Sequence, residues 1–390
     1  MKVEQLFTLV NATTQEVLGE TAVVLEDLSN VVDIGKEIIN TDNVDNYVKK
    51  LVNHIGKVVF VNRLYAGGVP SVLMDSWEYG SILEKVTAEM PTATENESWK
   101  LQNGVDYSPD VFYQPTVEAK FFNSKVTFEI PLSFTELQVK ESFSSKEQLN
   151  GFISMLTTSV ENAMTVKLDS LIMRTINHMV AETVSMELDP SATGTIDFTG
   201  STVKAVNLMA GYNANKTAAN KVTPQNALSN PEFIRYATYT IGLYSDRMSK
   251  ISTLFNSGGK ERFTPKDMQH IVLLSDFAKG ADTYLTADLQ NKEMVSLPKH
   301  DSVPYWQGSG VDYSFDEISK INVKTSSNKT VEMTGLIGVM FDRDALGVTN
   351  LDRRVTTNYN PKAEFYTNFY KFDAGYYNDL NENFVVFYLG

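Results

Sequence analysis

Apolar residues recur in steps of three and four through Leu149, Phe152, Ile153, Leu156, Val160, Ala163, Met164, Leu168, Leu171, Ile172, Ile176, Met179 and Val180. That spacing keeps one helix face apolar for roughly ten turns, a rod on the order of 50–60 Å at ~1.5 Å per residue. Its start is marked by Ser144-Ser145-Lys146-Glu147-Gln148, a capping box in either of two registers, Ser144 with Glu147 or Ser145 with Gln148. No proline falls inside and Asp189-Pro190 bounds it, so the predicted helix runs from about 146 to 184. An element so much longer than the usual ~11–12 residues reads as a strut, or as a coiled coil without regular e and g charge pairing.

On the N-terminal side of this rod the period falls to two. Residues 79–90 carry Ile82, Leu83, Val86 and Met90 among polar neighbours, and residues 111–132 alternate through Val117, Ala119, Phe121, Val126, Phe128 and Ile130. The polar stretch 91–110 between them is too long for a tight turn. An isolated hairpin is marginal in water, so this one is expected to find its burial on another subunit. Residues 1–70 alternate apolar and acidic stretches, with a helix predicted near 45–54 and a β-prone run at 57–61 before Gly67-Gly68, and read as an arm.

Beyond the rod the pattern is that of a compact α/β unit. Asn230-Pro231 caps a predicted helix through Phe233, Ile234, Ala237, Ile241, Tyr244, Met248, Ile251, Leu254 and Phe255, with Gly258-Gly259 ending it. Residues 270–274 read as a buried strand, 275–289 as a helix, and 298–310 as a loop holding two prolines, two glycines and Trp306. Residues 336–341 form a second buried strand. The aromatic stretch 365–389 turns at Asn378-Asp379 and Asn381-Glu382 before a final strand.

With 390 residues, 42% of them hydrophobic and 21% charged, the chain folds, and is too long for one ordinary core. A net charge of −14 repels nucleic acid and anionic membranes, a property shared by many acidic enzymes, so charge alone discriminates little between functions. The absence of cysteine excludes disulfides, thiolate metal sites and cysteine nucleophiles. The N-terminus does not read as a signal peptide, and no window reaches the ~18 apolar residues of a membrane span. An intracellular chain is expected, with the sequons at Asn11, Asn96, Asn215 and Asn328 as chance matches.

Candidate chemistry is thin. Ser257-Gly258-Gly259-Lys260 resembles part of a phosphate-binding loop, but Leu254 stands where the leading glycine belongs and Glu261 where Ser or Thr would bind magnesium, so a helix C-cap is the expected role. His54, His178, His270 and His300 have no i, i+4 partner of metal-site type; His178, beside the apolar stripe, is read as packing. Asp342-Arg343-Asp344 is read as a solvated or interface salt bridge, since alternate strand residues face opposite ways. No nucleophile elbow, dinucleotide fingerprint or kinase set is present, so no catalytic residue, cofactor or metal is expected.

Several strings resemble the major capsid proteins of tailed phages with the Hong Kong 97-type fold, in particular those of small short-tailed phages of Gram-positive bacteria. They are Tyr79-Gly-Ser-Ile-Leu-Glu-Lys85 with Met90-Pro91, Val111-Phe-Tyr-Gln-Pro115, Ala119-Lys-Phe-Phe-Asn-Ser-Lys-Val-Thr-Phe-Glu-Ile-Pro131, Leu149-Asn-Gly-Phe152 and Gly338-Val-Met-Phe-Asp-Arg-Asp-Ala-Leu346, with the aromatic tail. The resemblance implies an α+β fold divided into an N-terminal arm (1–70), an extended hairpin loop (71–143), a spine helix of the peripheral domain (144–190), an axial domain (191–335) and C-terminal strands returning to the peripheral domain (336–390). It implies pentamers and hexamers of an icosahedral shell around double-stranded DNA, assembled in the host bacterial cytoplasm and carried in the virion. A separate scaffolding protein and a portal protein would be the partners, and no membrane is involved. Trp99, Tyr107, Phe112 and Tyr113, with Lys120, Lys125 and Trp306, are the expected contacts between subunits. Two other readings stay open, a bacterial nanocompartment shell with enzyme cargo and an acidic α/β hydrolase.

Overall fold

The computed structural model describes residues 3–19, 24–25, 30–40, 47, 50, 69, 72–74, 83–91, 93, 95–96, 98–107, 110, 112–135, 137–138, 146–189, 196–287, 297–307 and 312–390. The fold is α+β. In chain order the strands are β1 (Leu73–Met74), β2 (Leu83–Ala88), β3 (Val117–Phe122), β4 (Lys125–Thr135), β5 (Ala205–Asn207), β6 (Gln269–Leu274) and β7 (Asp301–Val303). They continue as β8 (Ile321–Lys324), β9 (Thr330–Met333), β10 (Leu336–Asp342), β11 (Leu346–Asn360), β12 (Phe365–Asn378) and β13 (Phe384–Tyr388). The chain divides into two compact units. One takes Met1–Ser76, Lys125–Thr175 and Val348–Gly375, and the other Trp77–Ser124, Ile176–Gly347 and Tyr376–Gly390.

The first unit is built on a four-stranded sheet in the order β1-β11-β12-β4. β12 and β4 run antiparallel from Phe365 opposite Thr135 to Gly375 opposite Lys125. Period-two alternation puts Tyr366, Tyr370, Phe372 and Ala374 on the buried face of β12, where Phe134 stacks on Tyr366 and Phe128 lies 5.0 Å from Phe372. The other face is polar: Asp373 accepts from Thr127 and pairs with Arg354, and Lys371 pairs with Glu129. Helices Val3–Leu18 and Val31–Asn40 occupy the region read as an arm. The helix expected at 45–54 lies mostly outside the described residues, with Tyr47 and Lys50 helical, and the run at 57–61 lies wholly outside them.

The long helix spans Lys146–Leu188, 43 residues, and supplies segments to both units. Val160, Met164, Leu168, Leu171 and Ile172 are its buried stripe in the first unit, while Val166, off the stripe, is exposed. In the second unit nearly the whole circumference is covered: Ile176, Asn177, Met179, Val180, Ala181, Thr183 and Val184 are all buried. Three acids near its C-terminal end, Glu182, Glu187 and Asp189, oppose the helix macrodipole. Each has a compensating donor: the Ser326 backbone N–H for Glu182, Lys204 for Glu187 and Lys329 for Asp189.

The second unit centres on a five-stranded sheet, order β5-β13-β10-β6-β7. β10 is buried at every position because β13 and β6 flank it, both antiparallel. Gly338 is needed there, since a Cβ would come within 2.5 Å of the Leu273 side chain and 2.9 Å of the Val272 carbonyl. Helices Pro231–Met248 and Ser275–Ala287 lay Phe233, Ile234, Ala237, Ile241, Phe277 and Ala281 into the same core as Ile271, Leu273, Met340 and Phe387. The first of these helices starts where the sequence predicts, with the Asn230 side chain accepting from the Phe233 N–H and Pro231 following. It stops at Met248, short of the predicted glycines, and Ile251 and Leu254 are exposed on the loop beyond. That loop is closed by a bridge between Ser252 and Arg262, and the Thr264 N–H takes the Met248 carbonyl. Asn230→Ala is expected to cost about 1 kcal/mol in a denaturant titration and Asn230→Asp almost nothing; equal losses from both would deny the cap its role.

Candidate assembly interface

Strands β2 and β3 form an antiparallel hairpin in the second unit, with Leu83 opposite Phe122, Lys85 opposite Lys120 and Ala88 opposite Val117. The alternation within it is largely inverted relative to an ordinary surface hairpin. Leu83, Lys85 and Thr87, with Glu118, Lys120 and Phe122, turn inward, whereas Val86, Ala88, Val117, Ala119 and Phe121 turn outward, with Glu84 as the one charge among them, opposite Phe121. Phe121 is 65% exposed, and Val86, Met90 and Val117 are also exposed. A strand pair that points most of its charges at its own subunit and most of its apolar residues at solvent has an uncovered, mainly apolar face, and patches of this kind mark interaction surfaces.

The inward face is held by ionic contacts. Lys85 Nζ lies 2.9 Å from Asp379 Oδ2, 2.8 Å from Glu382 Oε1 and 3.0 Å from the Asp344 carbonyl, and Lys120 Nζ lies 2.9 Å from Asp379 Oδ1. Arg262 Nε sits 3.4 Å from Glu382, and Lys260 reaches Glu89 at 3.2 Å and Glu118 at 3.1 Å. At the base, Phe122 meets Tyr377 with ring centroids 5.0 Å apart. Burial pushes the Asp379 carboxyl up, but hydrogen bonds from Lys120 and Lys85 outweigh it and leave the group below the ordinary carboxylate value. For Glu382 burial wins, and its carboxyl is held above the ordinary value despite Lys85.

The residues expected to contact other subunits fall into different places. Phe112 is 86% and Tyr113 84% exposed, and Tyr107 is also exposed, all in the segment joining β2 to β3. Trp99 lies in the short turn Ser98–Lys100 of the same segment. Lys125, at the start of β4, is exposed. Lys120 is engaged by Asp379 of its own chain. Trp306 is 1% exposed, its indole N–H donated to the Leu336 carbonyl at 2.8 Å and its own carbonyl accepting from Asn177, so its side chain packs inside its own unit. Val86, Val117 and Phe121 belong to the apolar alternation read from the sequence, although they were not named there as contact residues, and the contacts of Lys85, Asp379 and Glu382 were not read from it at all. The adjacent pair Phe121-Phe122 in a strand was the available signal, because one of two neighbours must face out.

The glycine loop and the acidic triplet also resolve into structural roles. Ser257 and Gly258 donate their N–H groups to the Leu380 carbonyl, and a Cβ on Gly258 would collide with Asn381, so the loop grips the turn before β13 and is not a helix C-cap. Asp342, buried, accepts from Thr264 Oγ1 at 2.6 Å and from the Asp344 N–H at 2.9 Å, in place of the expected solvated or interface salt bridge. His178 shares a 3.2 Å contact with Asn378 and stands 3.6 Å from Glu182. Among the described residues, no group of three or more His, Cys, Asp or Glu side chains converges as a metal site, and no helix is long and apolar enough to cross a membrane.

The family model of the Phi29-like phage major capsid protein matches residues 10–388. The chain belongs to this family. A Phi29-like major capsid protein is a structural subunit of capsid oligomers and resides in the virion, and neither a nanocompartment shell nor a hydrolase is favoured by the match. No curated protein matches the chain. Among solved structures, it is similar to a chain of the Staphylococcus phage Andhra capsid at 10% identity, covering 84% of this chain and 86% of that one with a TM-score of 0.47. A chain in the structure of the head fiber and inner core protein of native bacteriophage P68 is similar at 10% identity, with 84% and 86% covered and a TM-score of 0.48. For the capsid of cyanophage P-SCSP1u the values are 11% identity, 85% and 92% covered, and a TM-score of 0.45.

Proposed function

We propose that this capsid protein assembles as pentamers and hexamers of an icosahedral shell with the Hong Kong 97-type architecture, enclosing double-stranded DNA without reading its sequence. The observation that carries the reading is the uncovered apolar face of the β2–β3 hairpin, supplied by Val86, Ala88, Val117, Ala119 and Phe121. Large obligate interfaces bury such faces, and another copy of the subunit is the partner that a closed shell provides. Phe112 and Tyr113, on the segment between the strands, would extend the contact. In the proposed division, residues 1–70 act as the arm, 71–143 as the extended loop, 144–190 as the spine, 191–335 as the axial domain and 336–390 as the returning strands. Lys125 would stand at the hairpin's edge and Trp99 near its tip. The net charge of −14 suits a wall that does not hold its contents. A separate scaffolding protein and a portal complete the assembly, which takes place in the host cytoplasm.

Expression with and without the scaffolding partner, followed by electron microscopy, tests the reading. Shells or ring-shaped capsomers are the expected products, and particles isolated from infected cells should show the absorbance ratio of nucleic acid. A monodisperse monomer under every condition would overturn the proposal.

A further inference from the structure

The inner face of the hairpin carries more order than anchoring requires. Lys85 and Lys120 stand directly opposite each other across the two strands, a like-charge pair that by itself pushes the hairpin apart. Asp379, 2% exposed, accepts from both through its two oxygens, so the hairpin's own repulsion is cancelled only when it is seated on the turn before β13. One step further out along the same face the sign reverses. Glu118, directly opposite Thr87, and Glu89 meet Lys260. The body presents the complementary order, Asp379 and Glu382 and then Lys260, with Arg262 beside Glu382.

This alternation makes docking register-specific. A slide of two residues, about 7 Å along the strands, is the smallest shift that keeps the same face inward. In one direction it sets Glu118 against Asp379 and Glu382. In the other it moves Lys85 and Lys120 towards Lys260. Both place like charges together. Little apolar area backs the rungs beyond Leu83, Phe122 and Tyr377 at the base. The acids are also graded, with Asp379 and Glu382 largely buried beside Lys85 and Arg262, and Glu118 and Glu89 partly exposed, while Lys120 and Lys260 are both partly exposed.

We propose that the Lys85, Lys120, Asp379, Glu382 and Lys260, Glu118, Glu89 contacts form a charge-coded latch that holds the hairpin in one register and releases it, tip first, at high ionic strength while the rest of the unit stays folded. The latch bears on shell assembly only where the preceding reading holds. Its own test uses the unassembled full-length subunit, so the two fail separately.

The test is hydrogen exchange followed by mass spectrometry on that subunit. Raising salt from about 0.1 M to about 1 M shortens the screening length from ~10 Å to ~3 Å. Amides of β2 and β3 are expected to exchange roughly tenfold faster, those near Ala88 and Val117 before those near Leu83 and Phe122, while β6 and β10 keep their protection. Asp379→Asn should bring the fast rate on at low salt, Lys120→Met should do so in part by relieving one lysine, and Lys279→Ala, in an exposed pair with Asp282 on the helix Ser275–Ala287, should change nothing. Should Asp379→Asn prevent folding, the wild-type salt series and Lys260→Met, on the outer rung, decide the matter alone. Hairpin exchange indifferent to salt and to these variants, or loss of protection spread evenly over the whole unit, would overturn the latch.

Discussion

Phe121→Asp is expected to abolish shell formation while leaving the isolated subunit folded and nearly as stable as before. The side chain is 65% exposed on β3, so its replacement touches no core, and even with Glu84 directly opposite it should shift subunit stability by no more than about 1 kcal/mol. Once a neighbour covers the outward face, burying a phenylalanine contributes roughly 1.5–3 kcal/mol. A carboxylate buried there without a partner costs several kcal/mol instead. Sedimentation and microscopy of the assembly reaction, beside a thermal melt of the subunit, separate the two effects. Normal shells from Phe121→Asp would show that this face is not covered in the capsid. Phe121→Leu should assemble.

The second large effect belongs to a residue whose sequence setting pointed the other way. Trp306→Ala is expected to destabilise the subunit by about 3–5 kcal/mol, the usual loss for a large aromatic removed from a close-packed core. Loss of the indole donor also leaves the Leu336 carbonyl without its 2.8 Å hydrogen bond, at about 1–3 kcal/mol. Against a typical total of about 5–15 kcal/mol this is a large share. Trp306→Phe should recover most of the packing and keep only the hydrogen-bond deficit. Urea titrations of the three proteins give the comparison, and a loss below about 1 kcal/mol for alanine would contradict the burial.

Trp306 also shows what sequence pattern does and does not carry. Its loop holds prolines and glycines, which report backbone turns, whereas the side chain's burial is set by Leu336 and Asn177, the latter 129 positions away. Where structure is local the reading is good: the capping pattern and three-four spacing predicted 146–184 and the helix is Lys146–Leu188, while the apolar run at 336–341 became β10. β11 was missed because its inward positions include Arg353 and Thr357, so the strand lacks the apolar alternation that would reveal it. The stretch 111–132 looked like one strand, yet Asn123-Ser124 divides it, β3 pairing with β2 and β4 with β12. The apolar positions change phase there, from Val117, Ala119 and Phe121 to Val126, Phe128 and Ile130, and the partners differ as well. The latch was illegible for the same reason, since Lys85 meets acids 294 and 297 positions away. No local period encodes such a pairing.

The order of the five-stranded sheet has a kinetic consequence. β13 lies between β5 and β10, so Val386 must find Ala205 and Val339 before the sheet is complete. Chain closure over such separations comes before the contacts that repay it, which places this subunit among slow folders that collapse with strand edges still open. During that interval the outward hairpin face is one more sticky surface in a crowded cell, competing with correct closure. Variants that slow the sheet should therefore lower the yield of soluble subunit, sparing the geometry of whatever shells do form.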